Sequence, residues 1–324
     1  MIMTHFLESP DAAGIESLLQ LARQYKQAPW CDQALGRRRR LGLLFLNPSL
    51  RTRLSTQLAA SQLGLESIVF NVDKDGWALE FQDDVIMNGT TVEHIRDAAP
   101  VLGQYFDILG IRTFPGLVNR ADDYAETVLQ QFIRHSGVPV LSLESATLHP
   151  LQSLADVLTM EEHAAPGKKS KVVLAWGPHI KPLPQCVANS FAQWVTHWGQ
   201  ADFTIAHPPG YELSPDFTTG ATITHDLDAA VRDADFIYVK NWSAFSDYGK
   251  ILCTDPAWML TPDRLRHAPD ARVMHCLPVR RNLEISADLL DSPNSLVQAQ
   301  AGNRVWAAQA ALSHLLRANQ LTTP

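Results

Sequence analysis

Cysteine is sparse. The four residues Cys31, Cys186, Cys253 and Cys276 are scattered without CxxC spacing, so neither a disulfide framework nor a zinc site is indicated. Basic tracts are missing and the net charge is −7, which argues against nucleic acid as a partner. No run of about 18 apolar residues could span a membrane. The N-terminal stretch, with Asp11 and Glu16 and no apolar core, does not read as a signal peptide. A cytoplasmic location is the expectation. No candidate strand is followed by GxGxxG, and no P-loop ending in Gly-Lys-Ser/Thr occurs, so neither hallmark of a nucleotide cradled by glycine-rich backbone is present.

What is there suits two domains, since 324 residues exceed one ordinary core. Apolar runs with β character lie at 41–46, 67–72, 106–111, 138–141, 171–176, 201–206, 236–239 and 272–274, and amphipathic segments near 54–63, 92–103, 121–135, 151–163, 184–197 and 226–233 alternate with them. Continuous apolar strands separated by amphipathic helices predict an α/β chain of two doubly wound parallel-sheet domains. A boundary is expected at His149-Pro150, giving a first domain over 1–149 and a second over 150–301. A last helix, from Gly302 within 302–324, should pack back, with the first domain as its expected partner.

The sharpest local signal is Ser49-Leu50-Arg51-Thr52-Arg53, between an apolar strand and an amphipathic helix. The first turn of a helix carries unpaired N–H groups and the positive end of the macrodipole. Two guanidinium forks and two hydroxyls added there suit a phosphate. Three further segments stand at comparable places: Arg112 after a strand, His149-Pro150-Leu151-Gln152 opening a helix, and His275-Cys276-Leu277-Pro278-Val279-Arg280-Arg281 after the last strand. Each alone is as readily a surface ion pair, a cap or a core residue.

Together and in this order, these motifs resemble the aspartate/ornithine carbamoyltransferase family over essentially the whole chain. The resemblance implies a carbamoyl phosphate site in the first domain, an amino-acceptor site in the second, and a homotrimer with active sites shared between subunits. It implies no metal and no organic cofactor. By position, carbamoyl phosphate would meet Ser49, the Leu50 backbone, Arg51, Thr52, Arg112, His149, Gln152, Cys276, Leu277 and Arg304, with Trp77 contributed by a neighbouring subunit. Arg51, Thr52, Arg112, His149 and Cys276 would act at the reacting group, Cys276 as a contact to the attacking amine rather than as a covalent nucleophile.

The acceptor requires a separate argument, because fold and phosphate grip do not define it. Where ordinary ornithine enzymes carry an aspartate for the free α-ammonium, this chain has Lys240 in Val239-Lys240-Asn241-Trp242. A cation there repels an ammonium and suits an acylated, uncharged nitrogen. The resemblance is accordingly to the branch acting on acylated ornithine, with Glu144, His179, Lys240, Leu277, Arg280 and Val92 as acceptor residues and a knotted backbone near Pro178–Pro184. Val92 stands where the acetyl enzymes have a glutamate and the succinyl enzymes a proline. Loss of that glutamate removes a repulsion against succinate, so N-succinyl-L-ornithine is the expected acceptor, in arginine biosynthesis. N-acetyl-L-ornithine is the alternative, and a non-catalytic phosphate-binding paralogue the third reading. Glu284 stands where the acetyl enzymes carry a lysine that can be carboxylated, so that modification is not expected.

Overall fold

The computed structural model describes residues 3–322. The first half runs α1 (Ala12–Gln27), β1 (Arg40–Phe45), α2 (Arg51–Gln62), β2 (Glu66–Asn71), α3 (Val72–Asp75), β3 (Leu79–Glu80), β4 (Glu93–His94), α4 (Ile95–Tyr105), β5 (Ile108–Arg112), α5 (Arg120–Tyr124), α6 (Thr127–His135) and β6 (Val140–Glu144). After α7 (Pro150–His163) come β7 (Ser170–Trp176), α8 (Cys186–Trp198), β8 (Ala201–Ala206), α9 (Pro215–Thr218), β9 (Thr222–Thr224), α10 (Leu227–Val231), β10 (Phe236–Lys240), β11 (Arg272–Met274), α11 (Ala287–Leu290) and α12 (Val297–Ala318).

Two parallel α/β sheets form, ordered β2-β1-β5-β6 and β11-β10-β7-β8-β9. Each therefore has one place where successive strands depart to opposite sides, between β1 and β5 in the first and between β7 and β10 in the second. Such switch points open a crevice at the carboxyl ends of the strands, where open α/β sheets hold ligands. The helices α7 and α12 join the halves. α7 is buried from Pro150 to Met160, and α12 packs on α7, α2 and α1. One apolar cluster accordingly runs from Leu41 and Leu43 through Leu154, Leu158 and Leu312 to Trp176 and Phe191. No helix among the described residues is long and apolar enough to cross a membrane.

Several boundaries differ from the sequence reading for identifiable reasons. β6 reaches Glu144 rather than ending at Leu141, because Ser142 and Glu144 are buried polar residues that interrupt the apolar run. The segment 121–135 is two helices, broken where Glu126 takes φ 53° and ψ 36°. α4 starts at Ile95, where His94 Nδ1 accepts the Arg96 N–H, and this leaves Val92 outside the helix. α12 starts at Val297 instead of Gly302, because its first buried turn carries Gln300, an amide that an apolar periodicity cannot reveal.

Candidate active site

The first crevice lies where β1 and β5 end side by side, with Phe45 and Arg112 in register. The chain leaving β1 turns into α2 as the Ser49 hydroxyl accepts the Thr52 N–H at 3.2 Å. Arg304 enters from α12: its Nη2 donates to Thr52 Oγ1 at 2.9 Å, and its Nη1 donates to Gln152 Oε1. Gln152 in turn donates to Asp156 Oδ1 at 2.7 Å, and Gln300 Nε2 donates to the same oxygen at 2.6 Å. Arg112, buried at the end of β5, pairs with Glu144 and lies 4.7 Å over the Phe114 ring. His149 Nε2 is 3.3 Å from the same carboxylate. Three buried nitrogens, Arg112 Nε, Arg304 Nε and His149 Nδ1, have no hydrogen-bond partner among the described residues. Two guanidinium donors and an imidazole nitrogen left unmatched in a crevice suit an anionic guest.

One expectation at this crevice is corrected. The sequence reading used both Arg51 and Arg53 as forks for the phosphate. Arg53 instead donates to Asn71 Oδ1 and stacks 4.8 Å over Phe45. It is spent on holding α2 against β1 and β2. Arg51 is half-buried, and its charge is felt by Arg112 and Cys276. The cationic set is therefore Arg51, Arg112 and Arg304.

The second crevice lies where Lys240 and Trp176 end β10 and β7 in register. The segment after β7 is tied to the chain after β10: Asn241 Nδ2 donates to the Gly177 carbonyl at 2.7 Å, and the Ser243 N–H donates to the Leu183 carbonyl at 2.9 Å. Lys240 is buried, and its charge acts on Cys276, His275, Glu284 and His179. Arg280 Nε donates to His179 Nε2 at 3.1 Å across 101 residues of sequence. His275 Nδ1 accepts the Leu277 N–H at 2.9 Å, and its Nε2 lies 3.3 Å from Glu284. Glu284 also accepts the Arg280 N–H at 2.8 Å, so this buried carboxylate braces the turn that carries Cys276, Leu277 and Arg280. Desolvation pushes the Cys276 thiol above its ordinary range, and a neutral thiol is a poor nucleophile.

Glu144, expected with the acceptor residues, stands between the crevices. It pairs with Arg112 on one side and accepts the Cys186 thiol at 3.2 Å on the other, where the charge of Lys240 is felt. Trp77 and Val92 are 53% and 64% exposed, on a loop whose hydrogen bonds are largely its own: Trp77 Nε1 donates to Glu93 at 2.7 Å, and Thr91 to Glu80 at 3.0 Å. The structure does not bring them to the other site residues. Sequence reasoning missed Asp156 and Gln300. Asp156 lies one helical turn after Gln152, so an acid on an otherwise apolar helix was the available signal.

Burial, with Arg304, Arg112 and Arg51 nearby, holds His149 well below the usual imidazole range, so the ring is neutral near pH 7. Burial also lowers His5, His179, His207, His275 and His314. Such histidines bind fewer protons folded than unfolded, so stability present above about pH 6.5 is lost as pH falls. The lowered carboxylates Glu212 and Glu284 pull the same way at acid pH. Asp156, raised from 3.8 to about 7 by burial, opposes them, because its folded form keeps a proton that the unfolded form has lost. The histidines prevail in number. The melting midpoint should rise by several degrees between pH 5 and pH 7, and a flat or falling profile would show that this balance is wrong.

One crevice gathers the cations Arg51, Arg112 and Arg304, and the other sets Lys240 near the neutral Cys276 thiol, an arrangement suited to an anionic guest beside a second small molecule. The profile of the aspartate/ornithine carbamoyltransferase carbamoyl-P binding domain matches residues 5–162, and that of the Asp/Orn binding domain matches residues 184–315. An N-succinylornithine carbamoyltransferase of Bacteroides fragilis is 44% identical over 316 residues, 97% of this chain and 99% of that protein. An N-acetylornithine carbamoyltransferase of Xanthomonas campestris is 35% identical, covering 98% of each. A glutamate-to-valine variant of N-acetyl-L-ornithine transcarbamylase, complexed with carbamyl phosphate and N-succinyl-L-norvaline, has a TM-score of 0.90 at 33% identity, covering 97% of this chain and 100% of that one. The chain belongs to the aspartate/ornithine carbamoyltransferase family and is a carbamoyltransferase.

Proposed function

We propose that the chain transfers the carbamoyl group of carbamoyl phosphate to the δ-amine of N-succinyl-L-ornithine, giving N-succinyl-L-citrulline and phosphate in arginine biosynthesis. The observation that carries the choice of acceptor is the Arg280–His179 contact at 3.1 Å. The neighbouring Arg281 is neutralised by Asp291 through two bonds of 2.7 Å, whereas the Arg280 side chain meets an imidazole that burial keeps neutral. That leaves a guanidinium able to take a second carboxylate, such as that of a succinyl group. Greater identity to the succinyl relative than to the acetyl one, 44% against 35%, supports the same reading.

In this reading Arg51, Arg112 and Arg304 hold the phosphate, together with the Ser49 and Thr52 hydroxyls and the N–H groups that open α2 at Leu50. Neutral His149 and Gln152 orient the carbamoyl amide and oxygen. The δ-nitrogen attacks the carbamoyl carbon, a C–N bond forms, the C–O bond to phosphate breaks, and the amine proton leaves with the phosphate. Fixed cations stabilise charge as it moves onto the leaving oxygen. Phosphate arriving at Arg112 competes with Glu144, and a released Glu144 turns to the acceptor beside Lys240, Cys276 and Leu277. A homotrimer completes the site: exposed Leu50, Leu54 and Leu58 recur every fourth residue along α2, an apolar stripe suited to a neighbouring subunit, whose Trp77 and Val92 would join this crevice.

The test compares kcat/KM for N-succinyl-L-ornithine, N-acetyl-L-ornithine and L-ornithine with carbamoyl phosphate. Tenfold or greater preference for the succinyl compound, about 1.4 kcal/mol, is expected. Val92→Glu should invert it by about tenfold, because a carboxylate set against a carboxylate in a partly desolvated site is repulsive. An unchanged ratio in that variant would remove Val92 from the acyl pocket.

A further inference from the structure

Glu144 and His149 must meet in one crevice although β6 ends at the first and α7 begins just after the second. Residues 145–148, which join them, are all buried, so their backbone groups need partners inside the protein. Glu126 supplies most of them. Its Oε1 accepts from the Ser145 hydroxyl at 2.6 Å, the Thr147 N–H at 2.8 Å and the Thr147 hydroxyl at 2.5 Å, while its Oε2 accepts from the Ala146 N–H at 3.1 Å. The loop closes on itself only through the Ser145 N–H to the Leu148 carbonyl, at 2.8 Å, and the return pair through the Ser145 hydroxyl.

The backbone of Glu126 is shaped to this end. It sits at φ 53°, in the left-handed region that side chains other than Gly, Asn and Asp rarely adopt. It occupies the N-cap position of α6 but gives that helix no side-chain cap, the usual use of an acceptor there. Its carboxylate has no salt-bridge partner among the described residues and spends its lone pairs on the 145–147 loop.

We propose that Glu126 is a positioning residue that sets the loop from Glu144 to His149, and through it the orientation of the His149 imidazole toward carbamoyl phosphate. The role in binding rests on the carbamoyl phosphate reading above. Three measurements on the full chain test it: steady-state kinetics, titration with carbamoyl phosphate, and the ring resonances of His149 by NMR, with exposed-side His225 as an internal reference.

Glu126→Ala should lower kcat/KM for carbamoyl phosphate by about tenfold to a hundredfold, as a small displacement of a site residue does, with KM for the acceptor changed less than about threefold. The His149 resonances should shift and those of His225 should not. Glu126→Gln, which keeps the three Oε1 contacts and loses the Ala146 one, should recover most of the activity. Thr147→Val, a gentler change that serves if the alanine variant does not fold, should move the same resonances in the same direction. Wild-type His149 resonances and wild-type binding in these variants would overturn the inference. If the unaltered protein does not bind carbamoyl phosphate, the functional reading fails, and the positioning role then stands or falls on the His149 resonances alone.

Discussion

Arg304→Met is expected to cut kcat/KM for carbamoyl phosphate by roughly 10³-fold, about 4 kcal/mol of transition-state stabilisation, with little loss of stability. Arg304 is buried and bridges Thr52 and Gln152, residues that the chain holds 100 positions apart. Its burial carries so large a desolvation cost that the guanidinium falls to about 10, still charged at neutral pH. Among the described residues no carboxylate pairs with it directly; Asp156 is reached through Gln152. An unpaired buried cation is a burden on folding that an apolar isostere relieves, so the melting midpoint should hold or rise while activity collapses. Arg304→Lys should not rescue, because one ammonium cannot reproduce a planar fork that reaches two acceptors. Kinetics and thermal melts on the same preparations decide the matter. A loss below tenfold, or a large fall in melting midpoint alongside the activity, would make Arg304 a packing residue.

The second large effect is expected at the acceptor. Arg280→Ala should lower kcat/KM for N-succinyl-L-ornithine by about 10–150-fold, the value of a charge-assisted contact of roughly 1.5–3 kcal/mol, and change the acetyl substrate by less than about threefold. The structural bond made by residue 280 is its backbone N–H to Glu284, which alanine retains, so the turn carrying Cys276 and Leu277 should survive. Arg281→Ala is the control: both it and its partner Asp291 are exposed, and such pairs contribute little. Equal losses with both acceptors would mean that Arg280 shapes the site without recognising the acyl group.

The legible residues are those whose chemistry is concentrated locally. Ser49, Arg51 and Thr52 lie within one helical turn, and the phosphate reading followed from that turn alone. Arg53 shows the limit of this logic. It has the same side chain as Arg51 two positions away, yet the rotation of about 100° per residue along a helix carries it round to Phe45 and Asn71. Glu144 shows another limit. Its bonds to Arg112 and Cys186 depend on which strands and helices lie adjacent. Glu126 gave no signal, because a glutamate on an amphipathic stretch reads as a solvated residue until the broken helix and its left-handed turn are seen.

The sequence by itself determined the two parallel α/β sheets, the gathering of Ser49, Arg51 and Thr52 at one helix start and the cation Lys240 at the end of an apolar strand. Hydrophobic period, charge and short-range spacing are local quantities, and these features are written in them. Only the tertiary structure decided the strand orders that set Phe45 beside Arg112 and Lys240 beside Trp176, the return of α12 that brings Arg304 to Thr52, and the contact of Arg280 with His179. Those pairings join residues tens to hundreds of positions apart, and they are chosen by burying one continuous core through α7 and α12, a global condition that no window of the chain contains.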